Sequence, residues 1–382
     1  MKLVFNRQML INSMTPLMCA AGVKGTNPIT EYVNIRAEGD GCATFTTYDL
    51  EKGVRRDIEC TIFEGGNYCV NAPKFMQALK LMEGEEVSVE IDSKFETVIK
   101  SGRSNYRMQA LSGDDFPVLP GVQSGDSFEI SSAKLRKMIA KTSYAMGIND
   151  QRPVLNGAFF KISGGEIMIV ACDSYKLAKC VSKTEIKNAT GTSEYYRYIM
   201  PQRTVSELFK MLPDGEDDTV LFNLSHRSMT CSFEGIIFYT RLIDGEYIDY
   251  DRIIMRNHKI FITLERDRLI SALERASVVT EEKNSGSSMT PITFAVEGNV
   301  LKLSAVSVTG GTYEELEILE HTGEDIVISL NNKNLIESLR SCRSEKVIME
   351  LSTPLYSVNV IPAEQKEGDD DVFFIMPIRT RR

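Results

Sequence analysis

Three stretches of the chain repeat one order of polar and apolar positions. Asn71–Met82, Met200–Leu212 and Leu330–Cys342 each open on polar residues, carry a basic residue in the first turn (Lys74, Arg203, Lys333) and continue with apolar residues at helical spacing. The basic residues lie 129 and 130 positions apart, about one third of the 382 residues. A second element keeps the same rhythm. Leu3–Ile11, Phe128–Ile139 and Phe261–Leu273 run from a short strand-like stretch through a capping-type polar position into another amphipathic helix. Between the two helices of each third, period-two alternation predicts strands at Thr44–Tyr48, Gly157–Ile162, Glu166–Val170, Ile292–Val296 and Leu301–Ser304. After the second helix it predicts strands at Glu86–Ile91, Thr219–Leu224 and Lys346–Leu351.

The fold class that follows is α+β, three repeated units of two helices packed on one face of an antiparallel sheet. Turn and polar residues near Pro120–Gly125 and Met255–His258 place the units at 1–123, 124–255 and 256–382. Hydrophobic residues at 42% and charged residues at 25% are the proportions of a globular chain with more than one core. Met1–Phe5 gives way to polar Asn6-Arg7-Gln8 before a leader's apolar core could form, and the apolar run Ile167–Cys172 has only strand length. A cytoplasmic chain that does not enter membranes is the expectation. Eight scattered cysteines, without a Cys-x-x-Cys pair, read as reduced thiols.

The net charge of −9 repels nucleic acid and anionic membranes over the surface as a whole. Its distribution is uneven. Segments 6–24, 71–82, 128–147, 200–212, 261–283 and 330–343 hold 17 Lys and Arg against 8 Asp and Glu, whereas the rest holds 27 against 45. Helices facing one way would present a basic surface inside an acidic shell, suited to phosphate contacts without base reading. Ordinary solvated helix faces are the other reading of the same numbers.

Catalytic patterns are missing. Gly22–Thr26 has neither the length nor the order of a phosphate-binding loop, and no metal or cofactor motif is present. Ser131-Ser-Ala-Lys134 matches Ser-x-x-Lys formally, but a helix N-cap explains it better. Asp214–Asp218 and Asp369–Asp371 read as solvated turns, and His226, His258 and His321 occupy unlike positions. Asp49 and Asp173 echo each other between repeats, which leaves open an enzyme with an acid–base site there. A non-catalytic oligomer that binds only protein is a third reading.

Arg152–Ile162, Val170–Lys179, Leu242–Ile254, Phe374–Arg379 and Asp114–Pro120 together resemble the bacterial DNA polymerase III beta subunit, the sliding clamp. The resemblance spans the whole chain. It implies a DNA sliding clamp with no catalytic site and no cofactor: a head-to-tail homodimer closed into a ring of six units around double-stranded DNA. It further implies action at replication forks in the cytoplasm, tethering the polymerase III alpha subunit. The clamp loader, through its delta subunit, and other polymerases and repair proteins would bind by short peptides.

Lys24, Asn149 and Arg203 align with DNA-contacting positions of that family. The repeat adds Lys74, Lys134, Lys137, Lys141, Lys283 and Lys333. The family's peptide groove, carried over by motif, falls on Leu155, Cys172, Ser174, Tyr175, Lys176 and Leu177, and on Ile248, Arg252 and Ile253. Leu355, Ser357, Ile375, Met376, Pro377 and Ile378 would complete it. A flexible peptide gains affinity there by seating Leu or Phe anchors in an apolar pocket with a polar rim. Ser174-Tyr175-Lys176 stands where many members have Gly-His-Arg, Ile248 replaces a usual proline, and Thr380–Arg382 runs past the usual end.

Overall fold

A computed structural model describes the chain except for residues 22–27, 40, 122–125, 191–194, 281–290, 307–309 and 380–382. Among the described residues it has helices α1 (Arg7–Met14), α2 (Ala72–Leu81), α3 (Ser132–Thr142), α4 (Gln202–Met211), α5 (Tyr250–Ile253), α6 (Arg266–Thr280) and α7 (Asn332–Ser341). The strands form four antiparallel sheets of five, ten, nine and four strands. The expected strands Glu86–Ile91, Thr219–Leu224 and Lys346–Leu351 appear with those bounds. None of the described helices is long and apolar enough to cross a membrane.

Contacts divide the chain into two compact units. The first is Met1–Ala133 with Ile186–Ser193 and Lys210–Leu242; the second is Lys134–Glu185 with Glu194–Phe209 and Ile243–Arg382. The five- and ten-stranded sheets belong to the first unit, the nine- and four-stranded sheets to the second. Each sequence repeat contributes to two sheets rather than the single sheet expected.

The wiring repeats residue by residue. In the first repeat, cross-strand pairing runs from Leu3 to Val89, Ile99 and Tyr106. The corresponding rows are Phe128, Phe222, Cys231 and Phe238 in the second, and Ile262, Met349, Val360 and Phe373 in the third. Inward-facing residues at every second position, most of them apolar, put these rows on a buried face, except along Ser104–Gln109, where they are half-buried. The second and third rows continue into the preceding repeat, Phe238 opposite Val54 and Phe373 opposite Ala178. Both Phe238 and Phe373 are fully buried. The first row stops at Tyr106, which is half-buried.

Val54 and Ala178 also hold equivalent places. Tyr48 faces Gly53 across one hairpin, Cys172 faces Leu177 across the next, and Val306 faces Gly311 across the third. The strands Lys52–Glu59 and Lys176–Lys183 each gain a neighbour from the following repeat, while Gly311–Glu317 ends its sheet.

Arginines fasten the paired helices. Arg7 donates Nη1 to Leu79 O at 3.0 Å and Nε to Gly84 O at 2.7 Å, closing the C-terminal end of α2. Arg266 does the same for α7 through Cys342 O at 2.8 Å, and Arg136 for α4 through Phe209 O at 2.9 Å. The last carbonyls of a helix lack intrahelical donors and carry partial negative charge, so a guanidinium satisfies both needs. Helix starts are closed by asparagines: Asn6, Asn71 and Asn331 accept from the amides of Met9, Lys74 and Asn334. Ser132, from the Ser-x-x-Lys match, is buried and donates Oγ to Pro213 O at 2.6 Å.

Replacing Arg266 by Met strands the Cys342 carbonyl, so Arg266→Met lowers stability to urea by about 1–3 kcal/mol. Arg268→Met, which removes an exposed pair with Glu265, changes it by less than about 1 kcal/mol. Equal losses for the two variants would show that helix closure is not what Arg266 supplies.

Candidate functional site

Lys74, Lys137, Asn149, Arg203 and Lys333 are exposed. Arg203 and Lys333 occupy the second position of α4 and α7, whereas Pro73 takes that place in α2 and moves Lys74 to the third. A cation in the first turn opposes the helix dipole by a few tenths of a kcal/mol, so local stability does not account for these three. Asn149 adopts a left-handed backbone with φ of 55°, a conformation asparagine tolerates better than most residues. Lys24 and Lys283 lie outside the described residues.

Two other candidates are already engaged. Lys141 is half-buried with its Nζ 2.5 Å from Asp371 Oδ2. Burial alone would lower its pKa, but the hydrogen bond and charge of Asp371 outweigh burial and raise it. Lys134 donates Nζ to the carbonyl of Lys183. Both were expected to contact DNA; their ammonium groups serve the protein instead. The acidic run expected to be a solvated turn is likewise corrected. Asp369 accepts from Ser182 Oγ at 2.5 Å and Asp370 pairs with Lys179 at 2.9 Å, so Asp369–Asp371 ties the strand Asp370–Ile375 to Lys176–Lys183.

The carried-over groove residues fall in the second unit and separate into a floor and a rim. Leu155, Cys172, Leu177, Ser357 and Ile375 are buried; the first three share an apolar cluster with Met168, Val170 and Phe374, and Ile248 packs against it. Burial pushes the Cys172 thiol up to about 12, so at neutral pH it is a protonated, packing side chain. The rim exposes apolar surface: Tyr175 is 55% exposed, Leu355 64%, Ile253 36% and Met376 41%. Ser174 and Arg252 are exposed polar groups, Ser174 accepting from Arg152 at 2.7 Å and Arg252 pairing with Asp249 at 2.8 Å. Pro377 and Ile378 are half-buried. The Met376 amide donates to Tyr175 O and the Ile378 amide to Ser329 O, both at 2.8 Å, which pins this segment.

Lys176, expected as a wall residue of the groove, turns its ammonium group to the protein. It is buried, with Nζ 2.7 Å from Glu337 Oε2 on α7 and over the ring of Tyr144. Its side chain anchors the hairpin that carries Ser174 and Tyr175.

Three aromatics of this surface escaped the sequence reading. Tyr247 stacks on Phe159 with centroids 5.3 Å apart, and Tyr250 tilts against the same ring at 6.0 Å. The three-residue spacing of the two tyrosines, one ahead of α5 and one opening it, was a visible signal; their partner on a distant strand was not.

Asp49 and Asp173 are turn-closing groups. Asp49 Oδ1 accepts from the amides of Glu51 and Lys52, and Asp173 Oδ1 from those of Tyr175 and Lys176, at 2.7–3.0 Å. Each is also beside the lysine of its own hairpin, Lys52 or Lys176. Burial raises the Asp173 pKa, with those amides opposing it. The echo between repeats is therefore one hairpin built twice, not an acid–base pair. Among the described residues, no group of three His, Cys, Asp or Glu could hold a metal ion.

Family models for the DNA polymerase III beta subunit match the chain in three parts: the N-terminal domain over 1–120, the central domain over 129–249 and the C-terminal domain over 251–379. Beta sliding clamps of Staphylococcus aureus and Staphylococcus epidermidis are 27% identical, with the whole of each chain aligned. A crystal structure of the Bacillus subtilis DNA polymerase sliding clamp superposes with a TM-score of 0.91 at 22% identity, covering both chains fully. One of the Pseudomonas aeruginosa sliding clamp, bound to griselimycin, gives 0.90 at 25%, again over both whole chains. With all three models matched in order, the chain belongs to the family of the DNA polymerase III beta subunit, the non-catalytic sliding clamp of DNA replication.

Proposed function

We propose that two copies of this chain close head to tail into a ring around double-stranded DNA, and that the groove of the second unit captures peptides from replication and repair proteins. One observation carries the ring. The two internal junctions share a register, Phe238 opposite Val54 and Phe373 opposite Ala178. Transferred to the strands left over, that register sets Tyr106 of one copy opposite Thr312 of the other. It also sets half-buried Ser104 opposite half-buried Glu314, and exposed Arg103 opposite exposed Glu315. A slip of one residue would set half-buried positions against exposed ones. Charge agrees: Arg103 and Arg107 lie on or beside one edge, Glu314, Glu315 and Glu317 on the other.

A closed ring holds DNA by topology, so contacts with phosphate can stay weak enough for sliding. Lys74, Lys137, Asn149, Arg203 and Lys333 suit that task, with Lys24 and Lys283 as further members; Lys134 and Lys141 do not. The units 1–123, 124–255 and 256–382 are then the six segments of the ring, taken twice over. The apolar rim of Tyr175, Ile253, Leu355 and Met376 fits a linear peptide with Leu or Phe anchors, as the polymerase III alpha subunit and the clamp loader's delta subunit would present. Ring and peptide site together make the chain a processivity factor at replication forks in the cytoplasm.

The decisive experiment compares retention on nicked circular DNA with retention after linearisation. The chain stays on the circle and is lost when it is cut; equal, salt-sensitive binding to both forms would reduce the proposal to a simple basic patch. Arg103→Glu shifts the native mass from dimer toward monomer, and adding Glu315→Arg restores the dimer; no recovery would sink the register. Arg203→Glu with Lys333→Glu leaves the dimer intact and lowers the salt dependence of DNA binding by about one per lost phosphate contact. An unchanged slope excludes both residues. Leu355→Ala with Met376→Ala raises the Kd of a Leu- and Phe-bearing peptide at least about 10-fold, measured by calorimetry; native affinity would move the site elsewhere.

A further inference from the structure

The repeat places a counterpart of the groove in the first unit. Tyr48 stands opposite Gly53 as Cys172 stands opposite Leu177. Tyr239 follows Phe238 as Phe374 follows Phe373. Ile29, after the turn-opening Pro28, matches Val154 after Pro153. Ile29, Tyr48, Phe116 and Tyr239 share one apolar cluster in the first unit, just as Val154, Cys172 and Phe374 meet in the second.

The two surfaces differ in what covers them. Pro117–Pro120 in the first unit has no helix or strand structure, and its burial alternates: Pro117 and Leu119 are turned in, Val118 is 87% exposed, and Pro120 is exposed. That is how an extended peptide lies on an apolar face. Leu119 packs against the cluster, and its Cδ1 lies 2.3 Å from where a Cβ on Gly53 would sit. The glycine is what makes room; the second unit has Leu177 in that place. Tyr48 and Tyr239, edge-on with centroids 5.8 Å apart, stand at the strand positions that Cys172 and Phe374 hold in the second unit.

We propose that the first unit holds a second peptide groove occupied by the chain's own Leu119, which leaves one open peptide site per chain. The occupant is tethered, so its effective concentration is on the order of millimolar, and a free peptide does not displace it. Pro117 and Pro120 stiffen the segment and reduce the ordering cost of holding it there. The inference rests on the groove reading of the second unit.

The test is the number of binding sites, by calorimetry on the full chain, for a short synthetic peptide bearing adjacent Leu and Phe. The native chain takes one peptide. Leu119→Ala takes two, the added one weaker and still present when Leu355→Ala and Met376→Ala blunt the first. Leu119→Met, which refills the space, takes one. A folded Leu119→Ala chain that takes one peptide overturns the inference while leaving the groove reading intact. A native chain that takes none overturns both. If Leu119→Ala does not fold, Leu119→Val is judged by the same count of two against one.

Discussion

Backbone amides and carbonyls on the edge of a sheet need partners, and this need organises the molecule. In two of the three repeats the closing strand pairs with a hairpin strand of the repeat before it, so Ile236–Arg241 joins Lys52–Glu59 and Asp370–Ile375 joins Lys176–Lys183. The head-to-tail rule that satisfies these edges inside the chain leaves the first closing strand and the last hairpin strand at the ends of their sheets among the described residues. A second copy can supply the same partner twice. An exposed edge with this much regular strand is otherwise a liability for uncontrolled association. In the proposed ring, arginines at one leftover edge would face glutamates at the other, which favours one partner and one register.

Positive charge on the helices serves two separate purposes. Arg7, Arg136 and Arg266 close the ends of neighbouring helices, and Lys134 and Lys141 are held by carbonyl or carboxylate groups of the protein. Lys74, Arg203 and Lys333 stay exposed at helix starts, where the dipole disfavours a cation. An excess of basic residues over the helical segments therefore overstated the charge available to a polyanion.

Local periodicity was legible because every strand with one buried face alternates and every amphipathic helix recurs at 3.6 residues. Glu86–Ile91 and Lys346–Leu351 could be read to the residue on that ground. The division of each repeat between two sheets could not, since alternation gives a strand's faces and says nothing of its neighbours. The same blindness hid Phe159 beneath Tyr247, and it hid the partners of Lys141 and Lys176, Asp371 and Glu337, which lie far along the chain. Asp49 and Asp173 show the reverse error: a real repetition was visible, but its purpose, closing a hairpin, is a backbone property that residue type alone does not reveal.

The central claim is that strands Ser104–Gln109 and Gly311–Glu317 of different copies complete each other. Amide hydrogen exchange in a chain carrying Tyr313→Pro tests it most directly, since proline removes an edge donor from one strand and leaves the other's sequence untouched. The account predicts that Ser104–Gln109 loses its protection along with the altered strand. Protection of Ser104–Gln109 that stays at the native level would contradict it.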